Sequence, residues 1–251
     1  MKKVSVITVS FNSEKTIKGT LQSVNEQTYP NIEHIIIDGN SFDKTLEIIA
    51  EYKAQPGSVS SEPDRGIYDA MNKGLGKASG DIICFLNSDD EFHSPTLLTD
   101  VVREFEDGQL DLIYGDVIYK SKSGKCIRHY KSKDFSAEKL KFGLMPAHPS
   151  LFVRSNIYQL IGGFRSDFKI AGDFELCCRL FQIPNLRMRY LERPFVNMLT
   201  GGASAVSISS IVPVNREILE ACRSNGINTN YLNLMLRYFG KITELNIKLI
   251  Q

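Results

Sequence analysis

The chain has 251 residues, of which 42% are hydrophobic and 24% are charged, and it contains no tryptophan. This composition excludes a disordered, collagen-like or mainly membrane-spanning protein, and the length suits one α/β domain with a short tail. The 30 lysines and arginines nearly balance the 29 aspartates and glutamates, so the net charge of +1 argues against a nucleic-acid partner.

Short apolar runs alternate with helical periodicity in the first half of the chain. Residues 4–9, 32–37 and 82–86 are apolar runs of the kind found in strands that are buried on both faces. Apolar residues at helical spacing follow the first two runs, over 17–24 and 46–52. This alternation predicts a doubly wound, mostly parallel sheet with helices on both faces, in which ligands bind beyond the carboxyl ends of the strands.

The later elements are less regular. A third helix is predicted over 67–73, with Gly74 near its end. Residues 112–119 and 126–130 are predicted to form a β-hairpin, because turn-forming residues lie between two strand-like runs. A further helix is predicted over 174–181.

Acidic residues follow three predicted strands. Asp38 follows the strand at 32–37, Asp64 follows a third strand that ends near residues 61–63, and Asp89 and Asp90 follow the strand at 82–86. One such aspartate commonly serves only a turn, but three acids at one sheet edge indicate a binding site. Adjacent carboxylates suit Mg²⁺ or Mn²⁺, whose other positions are filled by phosphate oxygens and water. The first strand is not followed by G-x-G-x-x-G, and no phosphate-loop motif occurs. The pattern therefore predicts a pocket for a nucleoside diphosphate and its metal ion.

Five segments in a fixed order resemble the inverting nucleotide-sugar glycosyltransferases of family 2, which have the GT-A fold. The segments are residues 4–12, 21–30, 37–41, 64–74 and 80–90. The chain is similar in particular to bacterial glycosyltransferases that build O-antigen and exopolysaccharide. The resemblance implies an α/β GT-A domain with a β-hairpin and a C-terminal helical tail.

The resemblance also implies domain boundaries. Residues 1–205 would form the catalytic domain, with a nucleotide-binding half at 1–110 and an acceptor-binding half at 111–205. Residues 206–251 would form the helical tail. Apolar residues at alternating spacings of 4 and 3 predict one apolar stripe on a helix there, formed by Tyr231, Met235, Tyr238, Ile242, Leu245 and Leu249. The stripe is expected to pack on the domain, on a second copy in a homodimer, or on a membrane surface.

Site residues follow from the matching motifs. The donor-binding residues implied in this way are Asn12, Asp38, Asp64, Asn72, Ser88 and Asp89. The family's D-x-D metal motif begins here at Asn87 instead of an acid, so both Asp89 and Asp90 remain candidate ligands for Mn²⁺ or Mg²⁺.

The catalytic base is implied by the segment 171–176, in which Asp173 would take the proton of the acceptor hydroxyl. Without the resemblance, Asp173 would be interpreted as the N-cap of the helix that follows. Glu175 in the same segment is a candidate acceptor contact. His148, in the loop before the predicted strand at 151–153, is a candidate contact of the acceptor, the diphosphate or the metal, or else a loop imidazole that bonds to backbone.

The expected reaction is transfer of one sugar, from a UDP-sugar by preference, to a glycan on a lipid diphosphate in bacterial O-antigen or capsule synthesis. The alternatives are a GDP-sugar-dependent transferase and a non-catalytic nucleotide- or sugar-binding module.

The cellular location is predicted from the cysteines and from the hairpin. The five cysteines lack C-x-x-C and metal-ligand spacing, which is typical of reduced thiols in the cytoplasm. No run approaches the roughly 18 apolar residues of a membrane span. The hairpin carries six basic residues between 120 and 133 and no acid. They form either a solvated face or a surface for anionic lipid on the inner face of the cytoplasmic membrane.

Overall fold

The computed structural model describes residues 1–200 and 211–238. Nine strands in these ranges form one sheet. In chain order the strands are β1 (Val4–Ser10), β2 (Ile32–Asp38), β3 (Val59–Ser61), β4 (Ile82–Phe85), β5 (Asp90–Phe92), β6 (Leu112–Lys120), β7 (Cys126–Tyr130), β8 (Phe152–Arg154) and β9 (Met188–Leu199). Their spatial order is β3-β2-β1-β4-β8-β6-β9-β5, and β7 pairs with β6.

Seven helices pack against this sheet in the described ranges. They are α1 (Ile17–Asn25), α2 (Thr45–Tyr52), α3 (Ile67–Lys77), α4 (Leu97–Gly108), α5 (Ser155–Ile161), α6 (Gly172–Leu180) and α7 (Ile211–Ser224). Short 3₁₀ helices cover Ala137–Phe142 and His148–Ser150, and residues 231–238 are also helical.

The half of the sheet formed by β3, β2, β1 and β4 is parallel throughout. Ser10 at the end of β1 is in register with Asp38 at the end of β2, and Asp38 is in register with Ser61 of β3. The carboxyl ends of these strands therefore meet at one edge, as the sequence predicted.

The other half of the sheet is mixed. Strand β8 runs antiparallel to both β4 and β6, and β9 runs parallel to β6 and antiparallel to β5. The register between β6 and β9 shifts on either side of Asp116, which marks a bulge. Neither β9 nor β5 was predicted from the sequence.

Buried side chains lie on both faces of the sheet. Ile7 and Ile35 face a cluster that includes residues of α3, α5, α6 and α7. Val6 and Ile32 face a second cluster with residues of α1 and α4. Successive side chains of β1 and of β2 therefore enter different clusters, so both strands are buried on two faces. This explains why their sequences are mostly apolar.

Helix α3 continues past the predicted end at Gly74 as far as Lys77. Gly74 lies on the buried face of the helix, and a β-carbon there would overlap the side chain of Ile7. The glycine therefore permits close packing of α3 on β1 and does not end the helix.

The described part of the tail packs on the domain. Leu234 is fully buried, and Arg237 donates hydrogen bonds to the carbonyl of Gly143 (3.1 Å) and to Oδ1 of Asn215 (2.8 Å). Tyr231 and Met235, which belong to the predicted stripe, are about half exposed. Residues 201–210 and 239–251 lie outside the described ranges, so the boundary at 205 and the rest of the stripe remain predictions.

None of the helices in 1–200 and 211–238 combines the length and the apolar character that crossing a bilayer requires.

Candidate active site

Asp38 is the most extensively hydrogen-bonded of the predicted site residues. Its carboxylate is fully buried and accepts hydrogen bonds from the hydroxyls of Ser10 (3.0 Å), Ser41 (2.6 Å) and Ser61 (2.7 Å). The backbone N–H of Ser41 donates a fourth, at 2.8 Å. Asp38 thus ties the ends of three parallel strands together.

Asn12 follows β1 and has a positive φ of 49°. Its backbone N–H donates to Oγ of Ser41 at 2.8 Å, and its side-chain Oδ1 accepts from the N–H of Phe42 at 3.1 Å. Asparagine is one of the few residues that adopt this backbone conformation readily. Asn12 therefore holds the loop after β1 against the loop after β2.

An exposed aromatic pair lies beside these loops. The side chains of Phe11 and Phe42 are 59% and 86% exposed and meet edge to face, with ring centroids 6.2 Å apart. A β-carbon added to Gly39 would lie 2.5 Å from Oδ2 of Asp64 and 3.3 Å from Cδ2 of Phe11. An aromatic face and a carboxylate thus adjoin the same glycine. No role for Phe11 was predicted, although an aromatic residue directly after a buried strand is a detectable signal in the sequence.

The turn after β4 brings polar side chains to the same edge. The N–H of Asp90 donates to the carbonyl of Asn87 at 3.0 Å, and the hydroxyls of Ser88 and Ser13 lie 2.8 Å apart. This contact joins the turn to the loop after β1. Asp89 is partly buried, whereas Asp90 begins β5 and is only 1% exposed.

Several buried oxygens of this turn lack a hydrogen-bond partner in the described part of the chain. They are Oδ1 of Asn87 and both carboxylate oxygens of Asp90. Burial, together with the charges of Asp89 and Glu91, raises the pKa of Asp90 well above its ordinary value. Burial also raises the pKa of Asp89. A nearby cation would relieve the cost of burying these charges.

The donor set fits Mg²⁺ or Mn²⁺, since both prefer oxygen ligands and bind through one or two carboxylates. Residues 1–200 and 211–238 contain no cluster of three or more His, Cys, Asp or Glu side chains that could hold a metal alone. Phosphate oxygens and water would therefore have to complete the coordination.

Asp173 lies in the first turn of α6, which begins at Gly172. Its Oδ1 accepts a hydrogen bond from the N–H of Phe174 (2.8 Å), and the hydroxyl of Tyr68 lies 3.4 Å away. Burial raises the pKa of Asp173 to about 6. Its carboxylate is thus a weak base that is largely ionised at neutral pH.

Tyr119 of β6 interacts electrostatically with acids of both segments. Burial raises the pKa of its hydroxyl, Arg128 opposes this rise, and the charges of Asp90 and Asp173 add to it.

Two predicted site residues make structural contacts. The amide of Asn72 donates to the carbonyl of Phe164 and accepts from its N–H, both at 2.8 Å. The carboxylate of Glu175 accepts from Arg179 at 2.6–3.1 Å and from Asn225 at 3.2 Å. The side chain of Asn72 thus joins α3 to the segment around Phe164. The side chain of Glu175 joins α6 to the end of α7.

His148 is also enclosed by protein. Its ring centroid lies 5.4 Å from that of Phe85 and 5.5 Å from that of Phe164. Burial lowers the pKa of His148 to about 4, so the imidazole is neutral at physiological pH. Its Nε2 is buried without a hydrogen-bond partner among the described residues.

Comparison with known proteins identifies the class. The family model "Glycosyl transferase family 2" matches residues 5–181, well over half of the chain. The chain belongs to this family.

Curated relatives agree with this assignment. An "Uncharacterized glycosyltransferase" of Mycobacterium tuberculosis is 37% identical over 182 residues, which are 70% of this chain and 68% of the relative. A "PGL/p-HBAD biosynthesis glycosyltransferase" of Mycobacterium bovis is 29% identical over 192 residues, 75% of this chain and 73% of that one. An "Amylovoran biosynthesis glycosyltransferase AmsB" of Erwinia amylovora is 34% identical over 122 residues, 45% of this chain and 40% of that one.

Solved structures share the fold. The crystal structure of S. aureus TarS 1-349 in complex with UDP-GlcNAc matches with a TM-score of 0.69 and 22% identity, over 87% of this chain and 66% of that one. The chain spans 39% of a longer TarS chain. The mannosyltransferase PcManGT of Pyrobaculum calidifontis, in complex with GDP-Man and Mn²⁺, matches with a TM-score of 0.60 and 16% identity, over 97% of this chain and 81% of that one. The predicted GT-A fold is confirmed.

Proposed function

We propose that the protein is a metal-dependent, inverting glycosyltransferase that moves a sugar from a nucleoside-diphosphate donor to a glycan acceptor. The observation that carries this proposal is the set of buried, unpartnered oxygens of Asn87 and Asp90 in the turn after β4, which the Ser13–Ser88 contact joins to the loop after β1. Asp173, whose pKa burial raises to about 6, is the candidate base. A nucleotide-binding module would have no use for a base poised in this way.

The donor's nucleoside would lie at the ends of β1 and β2. The exposed ring of Phe11 offers a stacking face for the base, and Asp64 offers a hydrogen-bond acceptor beside it. Asn12 and Asp38 fix the two loops that form this part of the pocket. Proteins of the same fold have been solved with UDP-GlcNAc and with GDP-Man, so uridine and guanosine are the two candidate nucleosides. We prefer uridine.

The diphosphate would lie over Ser88 and Asp89. Asp89 is the carboxylate we assign to the metal, because it is partly exposed while both oxygens of Asp90 are closed to solvent. When bound, Mn²⁺ or Mg²⁺ neutralises the charge that develops on the leaving diphosphate.

Asp173 would act on the acceptor. It takes the proton from the acceptor hydroxyl while that oxygen forms a bond to the anomeric carbon and the bond from this carbon to the diphosphate oxygen breaks. Attack opposite the leaving group inverts the anomeric configuration. Because the pKa of Asp173 is about 6, the carboxylate is free to accept a proton at neutral pH.

Thermal unfolding tests donor binding directly. We expect UDP or a UDP-sugar with Mn²⁺ to raise the stability by about 2.7 kcal/mol at a hundredfold excess over Kd, and GDP to give a smaller rise. Release of UDP from the same sugar donors, with water as the acceptor, separates a transferase from a binding module. Binding without any release would favour the module, and a larger shift with GDP would reverse the choice of base.

The acceptor that we infer is a glycan on a lipid diphosphate, as in bacterial surface polysaccharide synthesis. AmsB, a relative named for amylovoran biosynthesis, supports the polysaccharide part of this inference. The hairpin of β6 and β7 supports the lipid part, because Lys122, Lys125 and Lys131 are exposed on it. Lys133 is partly neutralised by Glu192 at 3.1 Å.

The base of the hairpin is fixed by a buried acid. Asp116 accepts hydrogen bonds from Nε2 of His129 (2.9 Å), the N–H of Ser132 (3.0 Å) and the hydroxyl of Tyr190 (2.7 Å). Ile127 near the tip is 51% exposed. The hairpin thus presents cations and one apolar side chain on a fixed support, which suits an anionic membrane surface.

Vesicle co-sedimentation tests this surface. Replacing Lys122, Lys125 and Lys131 with glutamate should weaken binding to phosphatidylglycerol-containing vesicles by about a hundredfold, since each basic residue contributes about 1 kcal/mol. The control replaces the exposed lysines Lys15, Lys44 and Lys77 in the same way. Equal binding to pure phosphatidylcholine vesicles would show that the hairpin is only a solvated face.

A further inference from the structure

A carboxylate of α7 holds the loop that leads into α6. Glu217 accepts hydrogen bonds from three consecutive backbone amides: Lys169 at 3.1 Å, Ile170 at 2.9 Å and Ala171 at 2.8 Å. Backbone N–H groups that converge on one carboxylate form strong, charge-assisted hydrogen bonds. Glu217 lies beyond residues 5–181, to which the family model is confined.

The same loop reaches the carboxylate of α6 through a tyrosine. The hydroxyl of Tyr68 donates to the carbonyl of Ile170 at 2.6 Å and lies 3.4 Å from Oδ1 of Asp173. A β-carbon added to Gly172 would lie 2.7 Å from the Tyr68 ring, so the backbone at Gly172 packs directly against this ring. A movement of the loop would therefore move both Tyr68 and Asp173.

We propose that Glu217 is a positioning residue for Asp173, which it holds in place by fixing the backbone of residues 169–171. This inference rests on the proposed function, in which Asp173 is the catalytic base. Glu217 does not touch the reacting atoms. It acts by holding the loop, which accepts a hydrogen bond from the Tyr68 hydroxyl and leads into α6.

The charge of Glu217 supplies a second readout. The titratable groups that interact with Asp173 are Tyr68 on α3, Tyr119 on β6, Cys177 on α6 and Glu217 on α7. Among them, Glu217 carries a negative charge at neutral pH, and this charge adds to the rise that burial imposes on the pKa of Asp173. Removing it should lower that pKa. The acid limb, which is the part of the pH profile where the rate falls as the pH decreases, should then move to lower pH.

The test compares Glu217→Gln with Glu220→Gln. Glu220 lies one turn further along α7, is exposed and loses the same charge when replaced. The rate of UDP release from a UDP-sugar is measured against pH, with water as the acceptor. We expect Glu217→Gln to lower kcat about tenfold through misplacement of the base, to leave KM for the donor within about twofold, and to move the acid limb to lower pH. Glu220→Gln should change none of these.

A second variant separates position from charge. Glu217→Asp keeps the negative charge but is one methylene shorter, so we expect a lower kcat with an unmoved acid limb. This variant also carries the test if Glu217→Gln unfolds. Unfolding temperature and nucleotide binding, measured for every variant, show whether the fold is intact.

The outcomes distinguish this inference from the proposed function. If Asp173→Asn lowers UDP release but the Glu217 variants keep the kcat and acid limb of Glu220→Gln, Glu217 does not position the base and only this inference fails. If Asp173→Asn releases UDP at the rate of the unsubstituted protein, Asp173 is not the base and this inference fails with that assignment. If the unsubstituted protein releases no UDP from any UDP-sugar, the proposed function itself fails.

Discussion

Replacing Asp173 with asparagine should lower turnover about a thousandfold, because the proton of the attacking hydroxyl loses its acceptor. Asparagine has nearly the same shape, so the hydrogen bond from the N–H of Phe174 is expected to persist. Donor affinity should stay within about twofold, because no donor contact is assigned to Asp173. UDP release from a UDP-sugar and nucleotide-induced thermal shifts measure the two effects separately.

The pH dependence of the unsubstituted protein belongs to the same prediction. The pKa of Asp173 is raised to about 6, and only its deprotonated form accepts a proton. Turnover should therefore be full above that pH and fall as the pH decreases through it. Asp134→Asn, which removes an exposed carboxylate, serves as the control and should change neither rate nor profile. Substantial residual turnover in Asp173→Asn would assign the base elsewhere.

Replacing Asp89 with asparagine should abolish the dependence of donor binding on Mn²⁺ and lower turnover about a hundredfold. The neutral amide is a poorer ligand for a hard cation than a carboxylate, so the diphosphate loses the charge that neutralises it. Thermal shifts by UDP with and without Mn²⁺ measure the binding effect, and UDP release measures the rate.

Asp90→Asn is the matched comparison for this variant. The oxygens of Asp90 are closed to solvent, so its variant should retain a Mn²⁺-dependent shift. The reverse result, with Asp90 required and Asp89 dispensable, would exchange the two assignments. If the Mn²⁺ effect persists in both variants, the metal does not bind at this turn.

The first half of the fold was predictable because its strands β1, β2 and β4 are buried on two faces. Ile35 and Ile36 are neighbours in β2, yet they face different clusters and are both buried, so the strand reads as one apolar run. The acids that follow such runs then stand out at the sheet edge. The same reasoning located the turn after β4.

The second half could not be predicted in this way. Strand β9 contains Arg189, Glu192 and Arg193, and each of them pairs with a charge on another element. An apolar run or a simple alternation is therefore missing from its sequence. Helix α7 contributes Glu217, whose role depends on amides 46 to 48 residues earlier in the chain.

Motifs located some residues without revealing their contacts. Asn72 stands in a segment that resembles the family, but its partner Phe164 is 92 residues away. Glu175 likewise stands beside the proposed base, while Arg179 and Asn225 occupy its carboxylate. Spacing along the sequence shows which residues cluster. It does not show with which neighbour a side chain forms hydrogen bonds.

The position of β9 sets the order in which the site is completed during synthesis. This strand lies between β6 and β5 in the sheet, and its residues 196–198 pair with Asp90–Phe92. The strand that begins at Asp90 therefore gains its hydrogen-bonded neighbour only after about a hundred further residues have left the ribosome. Asp90 and Phe92 are thus made early, whereas the strand that pairs with them is made late in translation.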